Sequence, residues 1–181
     1  MRVISGKAKG MGLFSPHGKS IRPTSDYVKE SLFNLIGMDV QGSKFLDLFA
    51  GSGGVGIEAL SRGASSVTFI DISSKSTQLI ERNLAKTRLK SNATIWQGEL
   101  PKALNKLAGQ KFDIIFIDPP YYRDFIPKIL SSISAKHLLE DNGYIILEAS
   151  ELDEITPPPE LEIYKEKKYS STKLIFLEAV I

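Results

Sequence analysis

The run Gly51-Ser-Gly53-Gly54-Val-Gly56 constrains this chain more than any other stretch of its sequence. It follows a short apolar segment, Phe45–Ala50, and opens an amphipathic run through Ile57–Arg62. A second β-patterned segment, Val67–Asp71, comes next and ends on an acid twenty residues beyond Gly51. Glycines at this spacing let a strand turn sharply into a helix. They also let backbone approach a ligand and let the helix pack closely on its sheet. The acid at the end of the next strand is placed to take ribose hydroxyls. One turn therefore predicts a parallel α/β sheet with a nucleotide-type ligand at its carboxyl edge.

The rest of the chain keeps to that pattern. Helical periodicity covers Ser74–Thr87, and Ala93–Gln97 reads as a third strand. A short helix is expected over Pro101–Leu107, and Phe112–Ile117 is an unbroken apolar strand. A helix follows over Phe125–His137, then a strand over Gly143–Glu148. After the loop at Pro157–Pro158–Pro159, Leu161–Lys167 and Lys173–Val180 alternate as an antiparallel pair. Alternating strands and helices imply right-handed crossovers and a sheet covered on both faces. Ahead of this core, Val28, Leu32, Leu35 and Ile36 mark a helix that ends at Gly37. Thr24, Ser25 and Asp26 are each competent to cap it. The first twenty residues read as short strands around glycine turns. The expected division is 1–38, a basic hairpin and helix, and 39–181, the α/β core.

Composition narrows the chemistry. The 181 residues are 42% hydrophobic and 24% charged, the balance of a soluble globular domain. With no cysteine, a disulfide framework, thiolate zinc and a cysteine nucleophile are excluded. Two histidines, His17 and His137, are too few for a histidine-built metal site, so no metal is expected. No apolar run reaches the ~18 residues of a membrane span and no signal peptide is visible, so a cytoplasmic protein is expected. The net charge of +2 hides an asymmetry. Arg2, Lys7, Lys9, Lys19 and Arg22 stand in the first 25 residues without one acid, and the remainder is mildly acidic. A basic arm on an acidic body suits contact with a polyanion, and its plainer reading is a solvated tail.

Two features decide which nucleotide the glycine turn serves. Asp47 lies inside the first strand, just before the turn, where it would repel a pyrophosphate. It suits a cation, and S-adenosylmethionine (SAM) carries a sulfonium and an α-ammonium. The fourth strand ends in Asp118-Pro119-Pro120-Tyr121, for which a nicotinamide enzyme has no use. An exocyclic amine on a nucleobase is a poor nucleophile because its lone pair is delocalised into the ring. The Asp118 carboxylate and the Pro119 carbonyl can accept its two N–H groups and draw the nitrogen toward tetrahedral geometry. The prolines keep those acceptors aimed. Tyr121 offers a face for an extruded base, worth about 1–3 kcal/mol.

With these motifs in place the chain resembles the RsmD family, small bacterial methyltransferases acting on a guanine N2 of 16S ribosomal RNA. The resemblance rests on Met-Arg-Val-Ile-Ser-Gly-Lys at the start and on Arg22-Pro23-Thr24-Ser25-Asp26-Tyr27-Val28-Lys29-Glu30-Ser31-Leu32-Phe33-Asn34. It extends over Leu46–Gly53, Glu58–Ala64 and Phe112–Tyr121. It implies a Rossmann-like class I SAM-dependent methyltransferase. The sheet would have seven mostly parallel strands with the last antiparallel, preceded by an amino-terminal β-hairpin and helix. It implies that Arg22, Pro23 and Thr24 lie over the cofactor's carboxylate end, the arm serving as RNA dock and cofactor lid. Asp47, Ala50, Gly51 and Gly53 would surround the amino-acid moiety, with Asp71 on the ribose and Ile72 beside the adenine. Relatives commonly carry Asp where this chain has Glu99, which would accept from the adenine amine. Lys7, Lys9 and Lys19 would contact RNA. The implied partner is 16S rRNA or the small ribosomal subunit, and the implied state a monomer.

Other residues read more plainly. Trp96 is expected in the core. Tyr122 and Phe125 line either the base pocket or its rim, and Arg123 and Lys128 stand near the mouth of the site. His17 and His137 carry no specific role, and Ser170 stands in the last hairpin where relatives often have glycine. An N6-adenine methyltransferase uses the same tetrapeptide chemistry and remains open. An NAD-dependent oxidoreductase and a catalytically silent RNA-binding module are opposed by Asp47 and by the intact Asp-Pro-Pro-Tyr.

Overall fold

The computed structural model describes residues 1–15, 26–120 and 125–180. Expectations at His17, Lys19, Arg22, Pro23, Thr24, Tyr121, Tyr122 and Arg123 lie outside the described residues.

Among the described residues seven strands form one sheet: β1 (Lys44–Leu48), β2 (Ser66–Asp71), β3 (Ala93–Gln97), β4 (Phe112–Ile117), β5 (Leu139–Ser150), β6 (Leu161–Tyr169) and β7 (Thr172–Ala179). Their order is β3-β2-β1-β4-β5-β7-β6. β1 to β5 run parallel, and β7 runs antiparallel to both neighbours. This is the expected sheet with its reversed last strand. β1 and β4 sit at its centre, so their apolar runs are covered on both sides. The β3 edge corrects the reading of Trp96. Ile95 packs on one face of the sheet, whereas Trp96 points to the other and is 36% exposed, with the Lys106 ammonium 4.9 Å from its ring centre.

Among the described residues four α-helices accompany the sheet: α1 (Asp26–Ile36), α2 (Gly54–Ser61), α3 (Ser74–Thr87) and α4 (Phe125–Ala135). One face of the sheet carries α1, α2 and α3, through residues such as Phe33, Ile57, Ile80 and Leu84 over Phe45, Phe69 and Phe116. The other carries α4 and a 3-10 turn, Lys102–Leu107, through Leu104, Leu107, Ile129 and Ile133 over Leu46, Ile70 and Ile115. That turn is the short helix expected over Pro101–Leu107, wound as a 3-10 helix. Other boundaries shift modestly. α2 starts three residues earlier than its periodicity suggests, because Gly53, left-handed at φ 78°, already caps it. α4 ends at Ala135 and leaves His137 in the following turn at φ 51°. β5 begins at Leu139, which pairs with Phe112 ahead of a register shift.

The expected amino-terminal β-hairpin is not built as two strands within the described residues. One antiparallel bridge, Arg2 to Gly12, closes a compact loop. Val3 N donates to Met11 O at 2.9 Å and Gly10 N to Val3 O at 2.8 Å. The loop is no solvated tail: Val3, Ala8 and Leu13 are buried in the α2–α3 face. Its partners are what override hairpin pairing. Backbone groups that a hairpin would pair across are taken by core side chains. Ile4 N and Ser5 N donate to the two carboxylate oxygens of Glu58 at 2.8 and 3.0 Å, and Ala8 N donates to Ser61 Oγ at 2.9 Å.

Candidate active site

Adjacent strands β2, β1 and β4 end side by side, so Asp71, the glycine turn and Asp118 meet at the carboxyl edge. Phe49 (φ 59°), Gly51 (φ 56°) and Gly53 (φ 78°) are all left-handed, which folds the chain back on itself between β1 and α2. Ala50 N donates to Ile70 O at 3.1 Å and Gly53 N to Ala50 O at 2.7 Å, which fixes the turn. Gly56 is required for another reason. A Cβ there would lie 2.3 Å from the Phe69 ring, so only glycine lets α2 approach the sheet this closely.

Asp71 closes on this turn. Its Oδ2 accepts from Gly51 N at 2.9 Å and its Oδ1 from Ser73 N at 2.8 Å. Each oxygen keeps acceptor capacity for a hydroxyl. Ile72, beside it, is 61% exposed, an apolar face at the lip of the site. Glu99, beyond β3, is exposed on the same edge. Asp118 sits at the end of β4, where its N–H reaches Leu48 O at 3.4 Å, so the Asp-Pro-Pro segment begins directly against the glycine turn. Pro119 is partly exposed and Pro120 exposed.

Asp47 takes a different place from the one expected of a cofactor ligand. It is 2% exposed, beneath the turn, and its Oδ2 accepts from Gly56 N at 2.9 Å. Its side chain alternates with those of Leu46 and Leu48, so it projects under α2. Burial, with the neighbouring Asp118 and Asp71 charges adding to it, pushes its carboxyl up to about 8. Asp47 therefore acts as a positioning residue that pins the first turn of α2. The Asp71 and Asp118 carboxylates that disfavour charge on Asp47 make this edge electronegative, which fits a cationic ligand such as SAM and opposes a pyrophosphate.

Of the RNA-facing residues expected, Lys7 and Lys9 are exposed on the amino-terminal loop. The residues that hold the loop were not anticipated. Fully buried Lys29 donates to Arg2 O at 2.6 Å and lies 3.6 Å from Glu58, whose Oε1 also accepts from Arg62 Nε at 2.8 Å. Desolvation lowers the Lys29 ammonium below its ordinary range. Fully buried Asn83 accepts from Phe14 N at 2.7 Å and donates to Phe14 O at 3.0 Å and to Ser52 O at 2.9 Å. It ties the end of the basic loop to the glycine turn. The signal was in the sequence: Lys29, Glu58 and Asn83 each fall in the apolar phase of their helices, beside Leu32 and Phe33, Ile57 and Ala59, and Ile80 and Leu84.

The strand order, the reversed last strand and the glycine turn define a class I methyltransferase fold. Solved structures agree: "Putative methyltransferase yhhF from Escherichia coli" superposes with a TM-score of 0.86 at 31% identity, covering 99% of each chain. The family described as "Conserved hypothetical protein 95" matches residues 1–178. "Putative rRNA methyltransferase YlbH" of Bacillus subtilis (strain 168) is 44% identical over 150 residues, 82% of each chain. "Ribosomal RNA small subunit methyltransferase D" of Escherichia coli (strain K12) is 35% identical over 176 residues, 92% of this chain and 84% of that one. The chain belongs to this family, the RsmD methyltransferases.

Proposed function

We propose that the protein transfers a methyl group from SAM to the exocyclic N2 amine of a guanine in small-subunit (16S) ribosomal RNA, as a cytoplasmic monomer. The observation that supports this reading is the 3.4 Å approach of Asp118 N to Leu48 O, which starts the Asp-Pro-Pro segment directly against the glycine turn. The names carried by the relatives point to the same RNA.

SAM supplies the electrophilic methyl group. The chain's own residues hold it and aim the acceptor. The turn at Ala50, Gly51 and Gly53 accommodates the amino-acid end, over Asp47, and Arg22, Pro23 and Thr24 cover its carboxylate. Asp71 takes the ribose hydroxyls with the lone pairs left over from Gly51 and Ser73, Ile72 lies against the adenine, and Glu99 accepts from its amine. At the other side of the site, the Asp118 carboxylate and Pro119 carbonyl accept the two N–H groups of the target amine. They concentrate its lone pair on nitrogen and align it for in-line attack. Tyr121 stacks on the base. Alkylation makes the amine strongly acidic, and its proton leaves to Asp118 or water. Lys7, Lys9 and Lys19 contribute phosphate contacts.

Asp118→Ala tests the assignment. Tritium transfer from labelled SAM to unmodified small subunits should fall by at least about 100-fold, as expected for losing one oriented acceptor. SAM affinity by calorimetry should stay within about twofold. Undiminished transfer would overturn the role of Asp118.

A further inference from the structure

The proposed chemistry acts on one base of a long polyanion, so the strand on either side must be held. The structure offers a groove for it, away from the amino-terminal loop and on the opposite face of the sheet. The groove has a volume of about 480 Å³ and runs between the Lys102–Leu107 turn and α4. It starts at the carboxyl edge, at Glu99 and Phe125, the first described residue after the Asp-Pro-Pro segment. From there it follows α4 past Lys128 and Ser132 to Lys136, with Lys102 and Asn105 on the facing wall.

The charges in the groove are arranged for a chain rather than a point ligand. Lys128, Ser132 and, one residue past the end of α4, Lys136 fall at i, i+4 and i+8, one stripe continued by the bond from Lys136 N to Ser132 O, with the outer two about 12 Å apart at 1.5 Å per residue. None of Lys102, Lys128 and Lys136 forms an ion pair among the described residues. Lys106 on the same turn differs: it is occupied by Gln97 O at 3.1 Å and the Trp96 ring. Among the described residues, three ammonium groups without an ion pair therefore stand against one acid of the groove lining, Glu99, which lies at the cofactor end. An ammonium donates and never accepts, so a row of them recognises phosphate oxygens without reading bases. Phe125, 38% exposed at the entrance, offers an aromatic surface beside the target site.

We propose that this groove is a phosphodiester track that holds the RNA strand flanking the target nucleotide, using Lys102, Lys128 and Lys136. The track rests on the reading of the protein as an RNA methyltransferase. Together with Lys7 and Lys9 on the opposite face, it has the RNA straddle the carboxyl edge of the sheet, with the target base presented at Asp118 between two basic surfaces.

The test compares Lys128→Ala/Lys136→Ala with Lys90→Ala/Lys167→Ala, which removes the same charge outside the groove, and with Lys128→Arg/Lys136→Arg. Two readouts are used: binding of an octauridylate by fluorescence anisotropy across a salt series, and KM for unmodified small subunits. In the groove alanine variant, octauridylate affinity should fall about tenfold and the slope of log K against log salt should flatten by about 1.4. KM should rise with unchanged SAM affinity and melting temperature. The arginine variant should retain binding, and the control variant should lose less than about threefold. Equal losses in groove and control variants, or an unchanged salt slope, would overturn the track. If the wild type methylates small subunits but the groove variant matches it in both readouts, the track fails and the enzyme reading stands. If octauridylate binding depends on the lysines but no RNA is methylated, the enzyme reading fails instead. Lysine-dependent binding of an acidic peptide in place of octauridylate would also overturn the track.

Discussion

The two faces of the sheet are covered by different means. On the α4 face the contacts are apolar side chains such as Leu104, Leu107, Ile129 and Ile133, stacked on Leu46, Ile70 and Ile115. On the α1–α3 face an apolar core is threaded by Lys29, Glu58 and Asn83, all fully buried, which grip a loop of backbone from residues 2 to 14. The first arrangement tolerates any side chain of suitable shape. The second specifies one arrangement of charges, because each buried polar group must find its partner. The difference follows from what each face carries: one a helix and a turn, the other three helices and, packed with them, a segment with little regular structure whose N–H and C=O groups need acceptors and donors.

The comparison breaks most sharply at Glu58. Removing it leaves Lys29 as a buried cation without its main partner and strips the acceptor from Ile4 N and Ser5 N. Glu58→Ala should lower the unfolding free energy by about 3–5 kcal/mol in urea titrations, whereas Leu104→Met on the other face should cost less than about 1.5 kcal/mol. Equal, small effects would mean that the loop is held by apolar contact alone.

Asn83→Ala is the next test. It deletes two hydrogen bonds to Phe14 and one to Ser52. The expected loss is about 2 kcal/mol, with faster hydrogen exchange at the Phe14 amide. Exchange at Phe14 unchanged from wild type would show that Asn83 does not anchor the loop.

Asp47 gives an effect of a different kind, one that depends on pH. In the unfolded chain its carboxyl titrates near 4, and in the native state near 8. Between those values the native protein holds a proton that the unfolded chain has released. Stability therefore falls as pH rises through that window, by at most about 1.4 kcal/mol per unit. Asp47→Asn should remove this decline while keeping an acceptor for Gly56 N. A wild-type stability that rises between pH 5 and 8, with the variant unchanged, would contradict the burial assigned to Asp47.

The elements that the sequence made legible are those whose pattern is local. The β4 run Phe112–Ile117, the Ser74–Thr87 helix and the strand–glycine–helix turn are each written in consecutive residues. So were the acids that surround the site, because Asp71 and Asp118 end the strands flanking β1. The amino-terminal loop was not legible as such. Its glycines signal turns, but its conformation is set by Glu58, Ser61 and Asn83, more than 50 residues away in sequence. The inward aim of Asp47 was hidden for a similar reason. Its neighbours fix that it alternates with Leu46 and Leu48, and only the seat of α2 decides that its side chain lies beneath the turn rather than in the site. Trp96 misled because a large aromatic in a strand reads as core unless the strand is known to be an edge.

The central claim is that the carboxyl edge activates an exocyclic guanine amine in ribosomal RNA. The most direct measurement is to incubate the protein with labelled SAM and unmodified small subunits, digest the RNA to nucleosides and identify the labelled one. The account predicts label in N2-methylguanosine, absent with Asp118→Ala. Label in N6-methyladenosine, or in a ring-carbon or ribose methyl group, would contradict it.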